Sequence, residues 1–314
     1  MNRRQKMKKS ETPLLKVTDL TVSFSRYDRG WNKCDLQVIR SLDAEVYPGE
    51  ILAVVGASGS GKSLLAHSVL GILPENASVS GKMEYMGKPL TPERQKQLRG
   101  KEIVFIPQSV DFLDPLMKVG KQVQGVTGTA ARMKAAFKRY RLDEKVEDMY
   151  PFQLSGGMAR RALISSAVIQ EPKLIVADEP TPGLDIAMAM ETLQNFRELA
   201  DQGCGVLLIT HDIDLALPVA DRIAVFYAGT TVEVCPVEDF STGKEALRHP
   251  YSKAFLDALP QNAFKPIEGS QPYAGELPGG CLFADRCSLR TGECEGDIPM
   301  RSLRGGKVRC IHAT

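Results

Sequence analysis

ILAVVGASGSGKS, Ile51–Ser63, decides the fold. ILAVV is a short, wholly apolar run, the pattern of a parallel strand buried on both faces. GASGSGKS, Gly56–Ser63, then fits G-x-x-x-x-G-K-[ST] at every defined position. Glycines at Gly56, Gly59 and Gly61 let backbone N–H groups turn inward around phosphate oxygens. The helix beginning at Leu64 adds its positive N-terminal end. Ser58 and Ser60 fill the loop between the glycines. Lys62 is placed to reach β- and γ-phosphates, and Ser63 to ligate Mg²⁺ through its hydroxyl.

LIVADE, Leu174–Glu179, supplies the complementary half. Four apolar residues seat a strand in the core, so Asp178 emerges rigidly at its end to orient Mg²⁺ and its water. Glu179 is placed to polarise an attacking water. Together these motifs predict a P-loop NTPase.

LSGGM, Leu154–Met158, narrows the reading. It opens a helix expected over ARRALISSAVI, and Ser155, Gly156 and Gly157 would present a hydroxyl and backbone N–H groups at that helix's start. One chain does not need two phosphate-binding surfaces for one nucleotide. A head-to-tail dimer, each signature facing the other subunit's ATP, resolves this.

With these motifs in this order, residues 14–260 resemble the ATP-binding subunits of ABC transporters. The resemblance implies further roles. Phe24 matches the aromatic that stacks on adenine, with Tyr27 and Trp31 as alternatives and a core role for Phe24 equally open. Gln108, in FIPQ, matches the glutamine that senses Mg²⁺ and the transmembrane partner. Asp185, in TPGLD, matches the aspartate that crosses the dimer interface, and His211, in LLITHD, the histidine at the γ-phosphate. Two departures stand out: Met158 where glutamine is usual, and PGLD where SALD or TALD is common. The segment Gln108–Leu154 is also shorter than usual.

The fold expected is α/β: a RecA-like P-loop core with an antiparallel β subdomain, a helical subdomain over about 109–160, and a small Cys-rich C-terminal module over 261–314. Strands are expected over 14–24, 37–46, 51–55, 174–177, 205–210 and 223–227, a strand and a loop over 98–108, and a helix over 186–200, an α/β alternation. HPYSKAFLDALP, His249–Pro260, predicts an amphipathic helix.

Composition agrees with a globular chain of 314 residues, 43% hydrophobic and 25% charged. The basic start, Met1–Lys9, reads as part of a solvated terminus over 1–13. No signal peptide is read, and no run approaches the roughly 18 apolar residues of a membrane span. A net charge of +2 gives no polyanion-binding signal. The competing function, a soluble ABC ATPase of DNA repair or translation, would bring coiled-coil insertions, zinc modules or a second cassette, and none is read here.

Cys281, Cys287, Cys294 and Cys310 are spaced C-x5-C-x6-C-x15-C in a Gly/Pro-rich tail. Disulfides suit a reducing compartment poorly. Zinc accepts four thiolates, but the short C-x2-4-C knuckles are missing. A [4Fe–4S] cluster tolerates wider spacing. Iron–sulfur, zinc and free thiols all stay open, with His312 as a substitute ligand. The tail pattern also resembles the oligopeptide, dipeptide and nickel branch of ABC importers, and that resemblance implies the iron–sulfur cluster. It further implies a second, related ATPase subunit, two permeases and an extracellular solute-binding protein as partners, no nucleic acid, and a place at the cytoplasmic face of the membrane. The cargo, peptide or nickel/metallophore complex, is not encoded in these residues.

Overall fold

The computed structural model describes residues 12–27, 33–126 and 128–314; Trp31 and the basic start, Met1–Lys9, lie outside them. β1 (Leu15–Tyr27) and β2 (Lys33–Val46) are followed by β3 (Ile51–Gly56), α1 (Lys62–Leu70), β4 (Ala77–Tyr85) and β5 (Lys88–Pro89). Then come α2 (Pro92–Leu98), β6 (Ile103–Ile106), α3 (Val119–Gln124), α4 (Ala130–Arg139) and α5 (Gly156–Val168). The chain continues through β7 (Leu174–Asp178), α6 (Ile186–Asp201), β8 (Gly205–Ile209), α7 (Ile213–Ala216) and β9 (Arg222–Tyr227). It closes with β10 (Thr230–Pro236), α8 (Val237–Thr242), α9 (Pro250–Asp257), β11 (Arg301–Leu303) and β12 (Gly306–Val308).

The larger sheet has the order β11-β12-β10-β9-β3-β8-β7-β6. From β9 to β6 every pairing is parallel. β3 is therefore an interior strand, and its side chains alternate between two cores. Ile51, Ala53 and Val55 enter one, and Leu52 and Val54 the other. That is why ILAVV reads as continuously apolar. The smaller sheet, β2-β1-β4-β5, is antiparallel and covers the second of these cores together with α1. The alternation in LLKVTDLTVSF fits this role, with Leu15, Val17, Leu20 and Val22 buried. Two stretches depart from expectation. Within 98–108 the strand is β6 and a loop carries Pro107-Gln108, but Leu98 ends a helix instead of opening the strand. β10, which carries the tail, had no separate signal.

The helical insert has its own small core. Val119, Val123, Met133 and Phe137 pack on Ala159, Ala162 and Leu163 of α5. The other face of α5, at Ile164, Ala167 and Val168, enters the main core. A helix buried on two sides needs small residues, which explains ARRALISSAV.

The C-terminal segment does not stand off from the ATPase. β12 pairs antiparallel with β10, Glu233 opposite Val308, so the tail extends the large sheet. Leu282 and Phe283 are buried in the main core. A buried charge cluster pins this junction. Arg248 lies against Glu233 at 3.2 Å and Asp239 at 2.7 Å, and it donates to the Leu303 carbonyl at 2.7 Å. The side chains of Arg248 and Glu233 are 1% and 0% exposed. Glu233 also accepts the backbone N–H groups of Arg248 and His249. Removing the cation leaves a buried carboxylate without its counter-charge, which costs about 3–5 kcal/mol. Arg248→Ala is expected to lower the denaturant midpoint accordingly, and to expose residues 300–314 to protease before the ATPase core unfolds.

Candidate nucleotide site

Parallel strands put all their C-terminal ends on one edge of the sheet, about 4.8 Å apart from strand to strand. β3 ends at Gly56, β8 at Ile209 before Thr210-His211, β7 at Asp178-Glu179, and β6 at Ile106 before Pro107-Gln108. The four motifs, scattered in sequence, thus meet as neighbours in the order β3-β8-β7-β6.

The phosphate loop itself is tight. Gly56 has φ +152°, and a Cβ there would lie 2.2 Å from the Phe226 carbonyl oxygen, so only glycine fits. Gly61, at φ +88°, caps α1 with no side chain, and α1 has no acidic residue in its first turn. Its N-terminal N–H groups are open to an anion. Lys62 is buried and donates to the carbonyls of Gly56 and Ala57, both at 3.0 Å. Burial pulls its pKa down, and the carboxylates of Glu179 and Asp178 oppose that. Ser58 and Gly59 are exposed, Ser60 is buried, and Ser63 and Leu64 are half-buried. The Ser60 hydroxyl has no hydrogen-bond partner among the described residues.

Asp178 is 3% exposed, and among the described residues its Oδ1 has no hydrogen-bond partner. Burial is the main influence on this carboxyl and pushes its pKa up; the neighbouring Ser63 hydroxyl opposes the rise. A buried carboxylate with one orphaned oxygen beside a serine hydroxyl is a fitting donor set for Mg²⁺. Glu179 follows at φ +46°, in the left-handed region. Gln108 Nε2 donates to Glu179 Oε2 at 3.1 Å, and His211 Nδ1 lies 3.1 Å from Oε1. Both carboxylate oxygens are thus engaged, one from β6 and one from β8.

Ser155 caps α5, its Oγ accepting the Met158 N–H at 3.3 Å, and Ser155 and Gly156 are exposed. Gly157 lies against the Gly183 carbonyl and Leu184. Asp185 caps α6 through the Met188 N–H at 2.9 Å and is also exposed. The signature and the PGLD turn therefore form one solvent-facing surface. Phe24 is half-buried against the second core, whereas Tyr27 is 70% exposed.

Arg160 escaped the sequence reading. It is 4% exposed and donates to the carbonyls of Pro107 and Gln108, fixing the Gln108 backbone from the signature helix. The signal was ARR directly after LSGGM, two arginines entering a helix otherwise buried on two sides.

The cysteines are all free thiols. Cys281, Cys287, Cys294 and Cys310 line one small cavity of about 10 Å³, joined by His249 and His312. His312 Nε2 lies 3.0 Å from the Thr291 hydroxyl. Burial pushes the Cys281 thiol up to about 11, and the other three cysteines add to the rise. Among the described residues no three His, Cys, Asp or Glu side chains are arranged to hold a metal ion.

Comparison with known proteins agrees with this geometry. The ABC transporter family matches residues 39–182, and the oligopeptide/dipeptide transporter C-terminal region matches 232–294. A protein of Brucella abortus named for peptide import is 35% identical, over 95% of this chain and 94% of its own. The chain belongs to the ATP-binding subunits of ABC transporters. This ABC ATPase is also 33% identical to the dipeptide transport ATP-binding protein DppD of Bacillus subtilis, over 93% of this chain and 91% of that one. Among solved structures, cbiO1 of Clostridium perfringens, part of the cbiONQ transporter complex, aligns with TM-score 0.60 and 26% identity over 75% of this chain and 93% of that one. The ABC ATPase binds ATP, with Mg²⁺ as the expected ion, and hydrolyses it as a transporter subunit. Among the described residues no helix is long and apolar enough to cross a membrane.

The raised pKa of Asp178 has a definite sign. The native state holds that proton more tightly than the unfolded chain, so it loses relative stability as pH rises above 3.8, the ordinary value. Asp178→Asn is therefore expected to raise the melting temperature of the nucleotide-free protein at pH 7, with the gain shrinking toward acid pH.

Proposed function

We propose that this ABC ATPase powers import of peptides, as one of two related ATP-binding subunits under two permeases at the cytoplasmic face of the membrane. An extracellular solute-binding protein would deliver the cargo. Residues 14–260 act as the ATPase, and 261–314 as the tail of the peptide-import branch. The match of 232–294 to the oligopeptide/dipeptide transporter C-terminal region supports the branch. Exposed apolar side chains on the helical insert, Phe112, Leu116 and Val126, suit a permease contact.

The observation that carries the chemistry is the grip on Glu179 by Gln108 and His211. In the closed dimer, Lys62 leaves the loop carbonyls for the β- and γ-phosphates, and Glu179 orients the water for in-line attack on the γ-phosphate. His211 contacts the γ-phosphate, and Ser155, Gly156 and Gly157 of the second subunit close over it, with Asp185 crossing the interface. Mg²⁺ would be held by Ser63, Asp178 and Gln108 and would neutralise developing charge on the phosphate oxygens. An aromatic from β1 stacks on adenine. Phe24 would have to serve from a half-buried position, while Tyr27 is free to move.

Glu179→Gln is expected to bind ATP and accumulate as a closed dimer, with hydrolysis lowered by at least about 100-fold. Size-exclusion chromatography with and without ATP reads the dimer. Normal turnover would remove Glu179 from its role. The cargo is tested by identifying the solute-binding protein and its ligand, where a nickel or metallophore complex instead of a peptide overturns the peptide reading.

For the tail we propose a [4Fe–4S] cluster on Cys281, Cys287, Cys294 and Cys310. Four soft sulfurs around one cavity suit it in kind. In placement, the cavity is small and the donors do not converge on one metal position, so the cysteines would have to move to take it. Anaerobic purification is expected to yield about four iron and four sulfide per chain. One equivalent of zinc would overturn the assignment in favour of a Cys₄ zinc site.

A further inference from the structure

Arg160 sits inside α5, just beyond the signature, and is 4% exposed. This helix is buried by Ala159, Ala162 and Leu163 in the small core and by Ile164, Ala167 and Val168 in the main core. That is a costly place for a guanidinium. Its hydrogen bonds go to neutral groups, the carbonyls of Pro107 and Gln108, and its Nε has no hydrogen-bond partner among the described residues. Burial pulls its pKa down, and the Glu179 carboxylate opposes that. An apolar side chain of similar length would pack here at lower cost, so the charge needs a reason beyond stability.

The reason lies in what the two carbonyls control. The Pro107 carbonyl belongs to the peptide group before the Gln108 Cα, and the Gln108 carbonyl to the one after it. One terminal nitrogen of Arg160 donates to each, at 2.5 Å for the first. Carbonyls of successive residues in a strand point to opposite sides. Here both turn to one planar guanidinium, at the bend that follows β6. Fixing both flanking peptide planes fixes φ and ψ of Gln108, and with them the direction in which its side chain leaves the backbone. Gln108 Nε2 then meets Glu179 Oε2 at 3.1 Å, while His211 lies against Oε1. A continuous chain of contacts thus runs from the signature helix through Arg160 and Gln108 to the Glu179 carboxylate.

We propose that Arg160 is a positioning residue for ATP hydrolysis. Its two-pronged grip on the Gln108 backbone aims the Gln108 amide at Glu179, so that the carboxylate is set for its water only when α5 is in place. This rests on Glu179 as the group that orients the water. Lysine cannot substitute, because a single ammonium does not match two carbonyls as a rigid planar fork does. The same helix presents Ser155 and Gly156 to solvent at its start, so a shift of the signature is carried to Gln108.

The test measures kcat and KM for ATP in the full-length protein for Arg160→Met, Arg160→Lys, Gln108→Ala and the double variant combining Arg160→Met with Gln108→Ala. Arg160→Met should lower kcat about ten- to a hundredfold, the scale of a reacting group displaced by about 1 Å, with KM within about threefold of wild type. In the Gln108→Ala background the same substitution should change kcat by less than about twofold, because the side chain it aims is gone. Arg160→Lys keeps the charge without the fork, and its kcat should stay within about threefold of Arg160→Met. Unchanged kcat in Arg160→Met overturns the proposal, as does an equal fall in both backgrounds, the mark of a merely structural role. Full kcat in Arg160→Lys also overturns it, by assigning the effect to charge near Glu179. Should Arg160→Met fail to fold, Arg160→Lys carries the same cycle with Gln108→Ala. Glu179→Gln tests the underlying reading separately, since normal turnover there removes Glu179 from its role whatever the Arg160 variants do.

Discussion

Everything at the nucleotide site depends on one constraint, the parallel pairing of β6, β7, β8, β3 and β9. Parallel strands end together, so the groups that follow them are delivered to one edge without long reaching side chains. The order of strands then decides who touches whom. Glu179 follows β7, which lies between β6 and β8, and its two carboxylate oxygens meet Gln108 from one side and His211 from the other. The burial of β3 on both faces makes this edge rigid, because each of its side chains is locked into one of two cores.

Rigidity is combined with stored electrostatic cost. Lys62 and Asp178 are both buried, and burial shifts each toward its neutral form. The lysine is held by two loop carbonyls, and one oxygen of the aspartate has no hydrogen-bond partner among the described residues. A phosphate and a divalent cation, bound as proposed, would relieve these costs together.

The tail changes the picture of the molecule most. Its composition suggested an appendage stapled by cysteines. Instead β12 continues the large sheet, Arg248 ties it to a buried carboxylate, and Phe283 packs against Tyr251 of α9. The cysteines line a cavity whose wall includes His249, two residues from Tyr251.

The sequence by itself determined the local chemistry. GASGSGKS reads as a phosphate loop because it matches G-x-x-x-x-G-K-[ST] at every defined position directly after a wholly apolar strand. LIVADE could only be a buried strand ending in two acids. Those signals are legible because they are written in adjacent residues, where periodicity and glycine placement suffice. Tertiary structure alone decided the rest. Gln108 and His211 sharing Glu179, Arg160 fixing the Gln108 backbone, Phe24 settling against a core, and Phe283 of the tail packing on Tyr227 and Tyr251 all join residues far apart in the chain. Such contacts are set by strand order and by which core a side chain enters, and no local pattern encodes either.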